Sequence, residues 1–199
     1  MPNAADVLIS WFGTADLRAL PDEEHRRRWY AGGDALDAEI RQRFGALLDD
    51  PEALAGWEGE DGRLAAIVVL DQFSRNAFRG TARAFATDGL ALALARELVA
   101  RGGERGFGVH QRGFAYLPFM HAEELAAQDQ ALALYERLAA DHPSAAANLD
   151  YAKRHRDIVV RFGRFPGRNP ALGRPDTAEE LAWLEAGGDT FGARPQTRA

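Results

Sequence analysis

The fold is decided by one stretch in the first half of the chain, Leu64-Ala65-Ala66-Ile67-Val68-Val69-Leu70-Asp71-Gln72-Phe73-Ser74-Arg75. Its apolar first part fits either a buried strand or a buried helix. A strand here would have no evident partner strands elsewhere in the sequence, whereas the continuation through Arg75 gives the length of a helix. The stretch therefore predicts a helix, and with it an all-α fold.

The same helical spacing recurs along the rest of the chain. Apolar residues fall four apart at 36–44 and at 90–98, and a further apolar stripe is expected on a helix that begins just after Pro118. Thr177 is followed three residues later by Glu180, the pattern of a capping box that opens a last helix. We predict about eight helices, stacked as antiparallel hairpins in a single domain over residues 1–186, and a poorly ordered tail over 187–199.

The composition excludes several classes of protein. Apolar residues make up 46% of the chain and charged residues 27%, which is typical of a globular domain. A net charge of −6 argues against a general binder of nucleic acids or anionic membranes, and the absence of cysteine excludes disulfides, thiolate metal sites and thiol catalysis. The chain shows no secretory signal and no apolar run long enough to span a bilayer, so we expect it in the cytoplasm.

Polar side chains occupy core-facing positions on several predicted helices. Left buried without partners, each would cost about 1–3 kcal/mol, and a charged group would cost more. They must therefore contact one another, ordered water or a ligand. These positions are Asp71 and Arg75 on the first helix, His121, Glu124 and Gln128 on the second, and His155 on the third.

Two Arg-Asn turns form a second pattern in this acidic chain. The first turn holds Arg75, Asn76 and Arg79, and the second turn, with Arg164 before it, holds Arg168 and Asn169. A guanidinium presents a planar fork that suits a carboxylate or a phosphate, and asparagine adds neutral donors. If the turns converge, they form a site for a small anionic molecule or a peptide segment. In the alternative, these arginines pair with acidic residues of neighbouring helices and lie partly in solvent.

Three functions are compatible with these patterns. In the first, the protein binds an anionic ligand in a polar pocket, where His121 and Gln128 orient the ligand. In the second, the pocket is that of an enzyme, a hydrolase or transferase in which His121 is the general base, Asp71 or Glu124 orients it, and Arg75 stabilises negative charge. In the third, the protein is a scaffold whose polar residues are all satisfied internally.

We expect neither a metal nor a cofactor. His121 and Glu124 have the helical spacing of metal ligands, but a metal needs three or more converging ligands. His155 and Asp71 alone could complete such a set, and both lie on other helices. The oligomeric state is not predicted by any pattern in the sequence.

Motifs along most of the chain resemble an uncharacterised bacterial family, domain of unknown function 924. The matching motifs are Leu70-Asp71-Gln72-Phe73-Ser74-Arg75-Asn76 with Phe78-Arg79-Gly80-Thr81, Tyr116-Leu117-Pro118-Phe119-Met120-His121, Arg161-Phe162-Gly163-Arg164-Phe165-Pro166 before Arg168-Asn169, and Leu172-Gly173-Arg174 with Thr177-Ala178-Glu179-Glu180. The resemblance runs from Val7 to Leu184. It implies a tetratricopeptide-like helical array and no established activity.

The chain departs from the family pattern at three positions. Ser74 stands where the family usually has proline, Ala122 where it has serine after the histidine, and Gly167 where it has histidine before the second Arg-Asn pair. Any role of that last histidine in chemistry is therefore absent from this chain.

Overall fold

The computed structural model describes residues 1–193, and every regular element in that range is a helix, which confirms the all-α prediction. The α-helices are α1 (Ala4–Phe12), α2 (Glu23–Ala31), α3 (Asp34–Asp49), α4 (Gly59–Ile67), α5 (Ser74–Ala77), α6 (Asp88–Ala100), α7 (Val109–His121), α8 (Leu125–Asp141), α9 (Ala146–Phe162) and α10 (Ala178–Glu185). Short 3-10 helices lie between them at Pro51–Gly56, Ala82–Phe85, Gly103–Gly106, Pro143–Ala145 and Pro166–Arg168. Within these residues, α4 continues through the segment 68–73 into α5 without a break. Counted as one helix, they bring the ten labelled helices to nine.

The decisive stretch forms the centre of the molecule. Residues 64–70 are each at most 1% exposed, which explains why the segment is apolar on all sides instead of along one stripe. A π-helical segment, Val68–Phe73, links α4 to α5, and the Ser74 amide donates to the Val69 carbonyl five residues earlier. Such π-helical turns are rare and occur often at functional sites.

The other helices pack around this central run. α1, α6 and α7 contact α4, and α3 contacts the π-helical segment and α5. α7, α8 and α9 pack in succession along the chain, and a small second core forms from Ile158, Val159 and Phe165. Tetratricopeptide-like stacking of hairpins stays a prediction. None of the helices within residues 1–193 combines the length and apolarity that crossing a membrane requires.

The helix boundary predicted near Pro118 is wrong. α7 continues through Pro118 to His121, the chain becomes extended at Ala122, and α8 begins only at Leu125. Proline removes one backbone hydrogen bond from a helix interior, but the burial of Tyr116 and Phe119 on the same helix outweighs that loss. His121 therefore ends α7, while Gln128 lies on a different helix.

The C-terminal part of the described chain folds back on α9. The predicted capping box is present, because Thr177 Oγ1 accepts from the Glu180 amide at 3.2 Å and Glu180 accepts from the Thr177 amide at 2.7 Å. Within 187–193, Asp189 pairs with Arg154 at 2.7 Å and other residues contact α9. The remainder of the tail predicted over 187–199, residues 194–199, lies outside the described residues.

Candidate functional site

A cavity of about 150 Å³ lies between α5, α7, α9 and the segment 189–193. Its apolar wall includes Phe85, Ile158, Phe165 and Phe191. Five of the residues predicted from the sequence to bind a ligand line this cavity together: Arg75, Arg79, His121, His155 and Arg168.

Asp71 fixes the imidazole of His121 from behind the cavity. Asp71 is 1% exposed, and its Oδ1 lies 2.8 Å from His121 Nδ1 and 3.0 Å from Arg75 Nη1. Gln72 Nε2 donates to the other carboxylate oxygen at 2.6 Å. Burial opposes ionisation of Asp71, but the charge of Arg75 and the contact with His121 outweigh it and hold the pKa of the carboxyl below its usual range. Because an ionised carboxylate only accepts, the proton of neutral His121 is on Nδ1, and Nε2 is left as an acceptor.

Asp88 joins the two Arg-Asn turns. Both of its carboxylate oxygens accept from Arg75 at 3.0 Å, and one of them also accepts from Arg168 at 3.2 Å. Arg168 donates a second bond to the His121 carbonyl at 2.9 Å. Burial and the neighbouring Arg75 lower the pKa of Arg168 to about 10, so it remains charged at neutral pH. The two turns therefore converge, and they do so through a shared aspartate.

His155 forms the opposite wall. Its Nδ1 donates to the Tyr151 carbonyl at 2.8 Å, so its Nε2 is also an acceptor in the neutral ring. The Phe191 ring stacks on the imidazole with centroids 3.6 Å apart, and the His121 ring lies 5.9 Å away. Burial, together with the charge of His121, lowers the pKa of His155 to about 3. Burial lowers the pKa of His121 as well, although Asp71 acts in the opposite direction.

Arg79 lies at the more exposed side of the cavity. Its guanidinium makes two bonds to the buried Asp37, at 3.0 and 3.1 Å, and a third to Asn76 Oδ1 at 3.0 Å. Asn76 also donates to the Gln72 carbonyl at 2.9 Å. Asn76 thus holds Arg79 in place and does not itself line the cavity.

Gln128 and Glu124 lie away from this cavity. The Gln128 side-chain amide donates to the carbonyls of Met120 and Ala122, both at 2.7 Å, and so satisfies the open end of α7. Glu124 pairs with Arg96 at 2.9 Å and lines a second cavity, of about 220 Å³, which shares Phe85, His121 and Arg168 with the first. Of the two carboxylates predicted to orient His121, the structure therefore places Asp71 there and not Glu124.

Arg164 and Asn169 belong to an internal network around α10. Arg164 makes two bonds to Glu180, at 2.6 and 2.7 Å. Asn169, which is fully buried, donates to Asp176 at 2.7 Å and accepts from Arg174 at 2.9 Å. These contacts hold the second turn in position but leave both side chains outside the cavity.

Some residues of the site were missed by the sequence reasoning. Asp88 opens α6, where an acidic residue is ordinarily explained by the helix dipole, so its pattern gave no functional signal. Phe191 lies in the stretch predicted to be a poorly ordered tail.

Gly167 lies under Thr190, whose Cβ would be 2.9 Å from an added β-carbon. A side chain at 167 would therefore displace the segment 189–193.

No group of three or more His, Asp or Glu side chains within residues 1–193 converges on a point where a metal ion could be held. Asp71 and His121 meet at one position, and beside them lie the guanidiniums of Arg75 and Arg168, both paired with Asp88.

Comparisons with known proteins place the chain in a family. Residues 7–188 match the family model described as "Bacterial protein of unknown function (DUF924)". The solved structure of a protein of unknown function from Agrobacterium tumefaciens is similar, with 39% sequence identity and a TM-score of 0.79 over 92% of this chain and 97% of that chain. No curated protein matches this chain. The chain therefore belongs to the DUF924 family of bacterial proteins.

Proposed function

We propose that the cavity binds a small anionic ligand. The observation that carries this proposal is that three guanidinium groups from two separate parts of the chain, those of Arg75, Arg79 and Arg168, line one cavity together with two histidines. A guanidinium is an excellent partner for carboxylate and phosphate oxygens because it presents a planar set of N–H donors.

The arginines keep donors available for a ligand. A guanidinium has five N–H donors. Arg168 makes two hydrogen bonds, to Asp88 and to the His121 carbonyl, and its flat face contacts the rings of Phe85 and Phe165 at 4.8 and 4.5 Å. These contacts hold the guanidinium in a fixed, partly dehydrated position, where an anion can accept from its remaining N–H groups at little cost in entropy.

The size of the cavity favours a small molecule over a peptide segment. A cavity of about 150 Å³ is on the scale that holds a benzene molecule, and drug-sized ligands occupy larger ones. The peptide alternative therefore has less support than a compact metabolite.

Thermal-shift screening of the full chain against phosphates, sulfate and small carboxylates tests the proposal. A ligand that binds only the folded state raises the melting temperature with its concentration. Arg168→Lys keeps the charge but loses the fork, so it should weaken binding about tenfold or more, equivalent to about 1.4 kcal/mol. Arg83→Lys, outside the cavity, is the matched control and should bind as wild type. The absence of any shift across the panel would count against an anion site.

An acid–base enzyme is the second candidate, and the Asp71–His121 hydrogen bond of 2.8 Å favours it. A buried carboxylate on Nδ1 leaves Nε2 free to take a proton, the arrangement that a general base needs. Chromogenic esters of phosphate and of small carboxylic acids provide the assay. In an enzyme, His121→Ala should lose about 10²-fold or more in turnover and largely retain affinity. A pure binder should show no turnover and lose affinity in this variant.

A structural role is supported for the network around α10. Arg164, Asn169 and Glu180 satisfy one another and have no place in the cavity. We therefore assign these residues to stability and keep the ligand role for the cavity residues.

A further inference from the structure

The charges around the cavity are balanced. Arg75 lies against Asp71 and Asp88, Arg168 shares Asp88, and Arg79 is paired with Asp37. Asp189, which also lines the cavity, is paired with Arg154 at 2.7 Å. Four guanidiniums thus face four carboxylates. Both histidines have a lowered pKa and add no charge at neutral pH.

This balance disfavours a doubly charged ligand. A phosphate monoester carries a charge of about −1.5 to −2 at neutral pH. Because the charges are balanced, each negative charge that a ligand brings into the cavity is uncompensated, and a charge buried without compensation is strongly unfavourable. The penalty for a dianion is therefore larger than that for a monoanion. A single carboxylate, in contrast, brings one charge and can accept from the N–H groups of Arg168 or Arg79 that remain beside their bonds to the protein.

The two histidines can each accept a hydrogen bond from a ligand. Nδ1 of His121 donates to Asp71 and Nδ1 of His155 donates to the Tyr151 carbonyl. In each neutral ring Nε2 therefore carries a lone pair and lies on the side away from that bond. A lone pair repels the oxygens of an anion but accepts a hydroxyl hydrogen. A ligand that satisfies both the arginines and the histidines carries an anionic acceptor and a neutral O–H donor.

Four large apolar side chains, three of them aromatic, form part of the wall. Phe85, Phe165, Phe191 and Ile158 line the same cavity as the polar groups. Phe165 meets the His155 ring edge-on at 5.5 Å, and Phe191 covers its face. Burying apolar surface against such a wall stabilises a ligand that has an apolar body.

From these features together we propose that the ligand is a compact hydroxy-monocarboxylate whose apolar body is about the size of a benzene ring or smaller. The carboxylate accepts from the arginines, the hydroxyl donates to a histidine, and the hydrocarbon part contacts the phenyl rings. This inference rests on the proposed anion-binding function and narrows it to one class of ligand.

Isothermal titration calorimetry on the full chain at pH 7 tests it with probes that each lack one feature. The reference probe is 2-hydroxy-3-methylbutanoate; 3-methylbutanoate lacks the hydroxyl, glycolate the apolar body, and 2-hydroxy-3-methylbutanamide the charge, while inorganic phosphate represents the dianion. We expect the reference probe to bind at least about tenfold more tightly than each of the others, which corresponds to about one missing interaction.

Each outcome has a distinct meaning. Phosphate binding as tightly as the reference probe would overturn this inference but leave the proposed function intact. Equal binding of any one matched probe would overturn the need for the feature it lacks, and with it the assigned class. Failure of every anion to bind would overturn the proposed function itself.

A pair of variants checks the apolar contact. Phe85→Leu removes a ring of the cavity wall that also contacts Arg168, so it should weaken binding of the reference probe at least about fivefold more than binding of glycolate. Phe78→Leu is the same change in a ring that lies under Arg83, outside the cavity, and should leave both affinities unchanged. Equal effects of the two variants on the reference probe would contradict the placement of its hydrocarbon part. The probe series on the unmodified chain decides the inference even if a variant fails to fold.

Discussion

Replacing His155 by glutamine is expected to remove part of the protein's sensitivity to acid. His155 is 4% exposed, and burial together with the charge of His121 lowers its pKa to about 3. A histidine in the unfolded chain titrates near about 6.5. Between these two values the unfolded state binds a proton that the folded state does not. The free energy of unfolding therefore falls as the pH falls through this window.

The magnitude follows from the width of the window. Each pH unit inside it removes about 1.4 kcal/mol for one such histidine. Lowering the pH from 7 to 5 thus removes about 2 kcal/mol through His155, because the effect begins near the pKa of about 6.5 in the unfolded chain. Carboxylates of the unfolded chain titrate near pH 4 and add little above pH 5. The pKa of His121 is also lowered by burial, so His121 too lowers the free energy of unfolding as the pH falls. This effect is present in both wild type and His155→Gln.

Urea denaturation at pH 7 and pH 5 measures the effect in wild type and in His155→Gln. The variant should lose about 2 kcal/mol less than wild type between the two pH values. His142→Gln, at the end of α8 and outside the cavity, is the matched control and should lose as much as wild type. Equal losses in wild type and His155→Gln would refute the placement of an uncharged His155 in the cavity wall.

Two further substitutions test the packing behind the cavity. Gln128→Leu leaves two buried carbonyls without a donor and should lower the free energy of unfolding, measured by urea denaturation, by about 2 kcal/mol or more. The control, Gln130→Leu on the exposed face of α8, should change it by less than about 0.5 kcal/mol. Similar values for the two variants would contradict the role of Gln128 in closing α7. Gly167→Ala places a β-carbon against Thr190 and should speed hydrogen exchange of the amides in 189–193 and cost about 1–3 kcal/mol, while Gly45→Ala, with open space at its β-carbon, should leave that exchange unchanged. Unaltered exchange in Gly167→Ala would show that the segment does not pack there.

The parts of the fold that depend on neighbours in sequence could be predicted. The helix through Leu64 and Arg75 followed from its length and the lack of partner strands, and the contact of Asp71 with Arg75 followed from a spacing of four residues. The boundary at Pro118 was not predictable from propensity, because buried side chains of the same helix keep it intact beyond the proline. Propensity is a weak guide wherever tertiary packing is extensive.

The sequence predicted several residues of the site but not how they are arranged. Polar residues at core-facing positions identified His121 and His155, but the same signal also selected Gln128, which caps a helix end. Asn169 was selected by its place beside an arginine, and it serves an internal network. A polar residue in a core looks the same in sequence whether its partner is a carbonyl, a carboxylate or a ligand. Contacts that join distant parts of the chain, such as that of Asp88 with Arg168, need the folded structure.

The central claim is that the arginines and histidines of the cavity contact a ligand. Its most direct test is a nuclear magnetic resonance titration that follows the side-chain nitrogen signals of arginine and histidine as 2-hydroxy-3-methylbutanoate is added. Saturable shifts at Arg75, Arg79, Arg168 and His121, with no change at Arg83, are the predicted result. Shifts that do not saturate, or that are spread equally over the surface arginines, would contradict the claim.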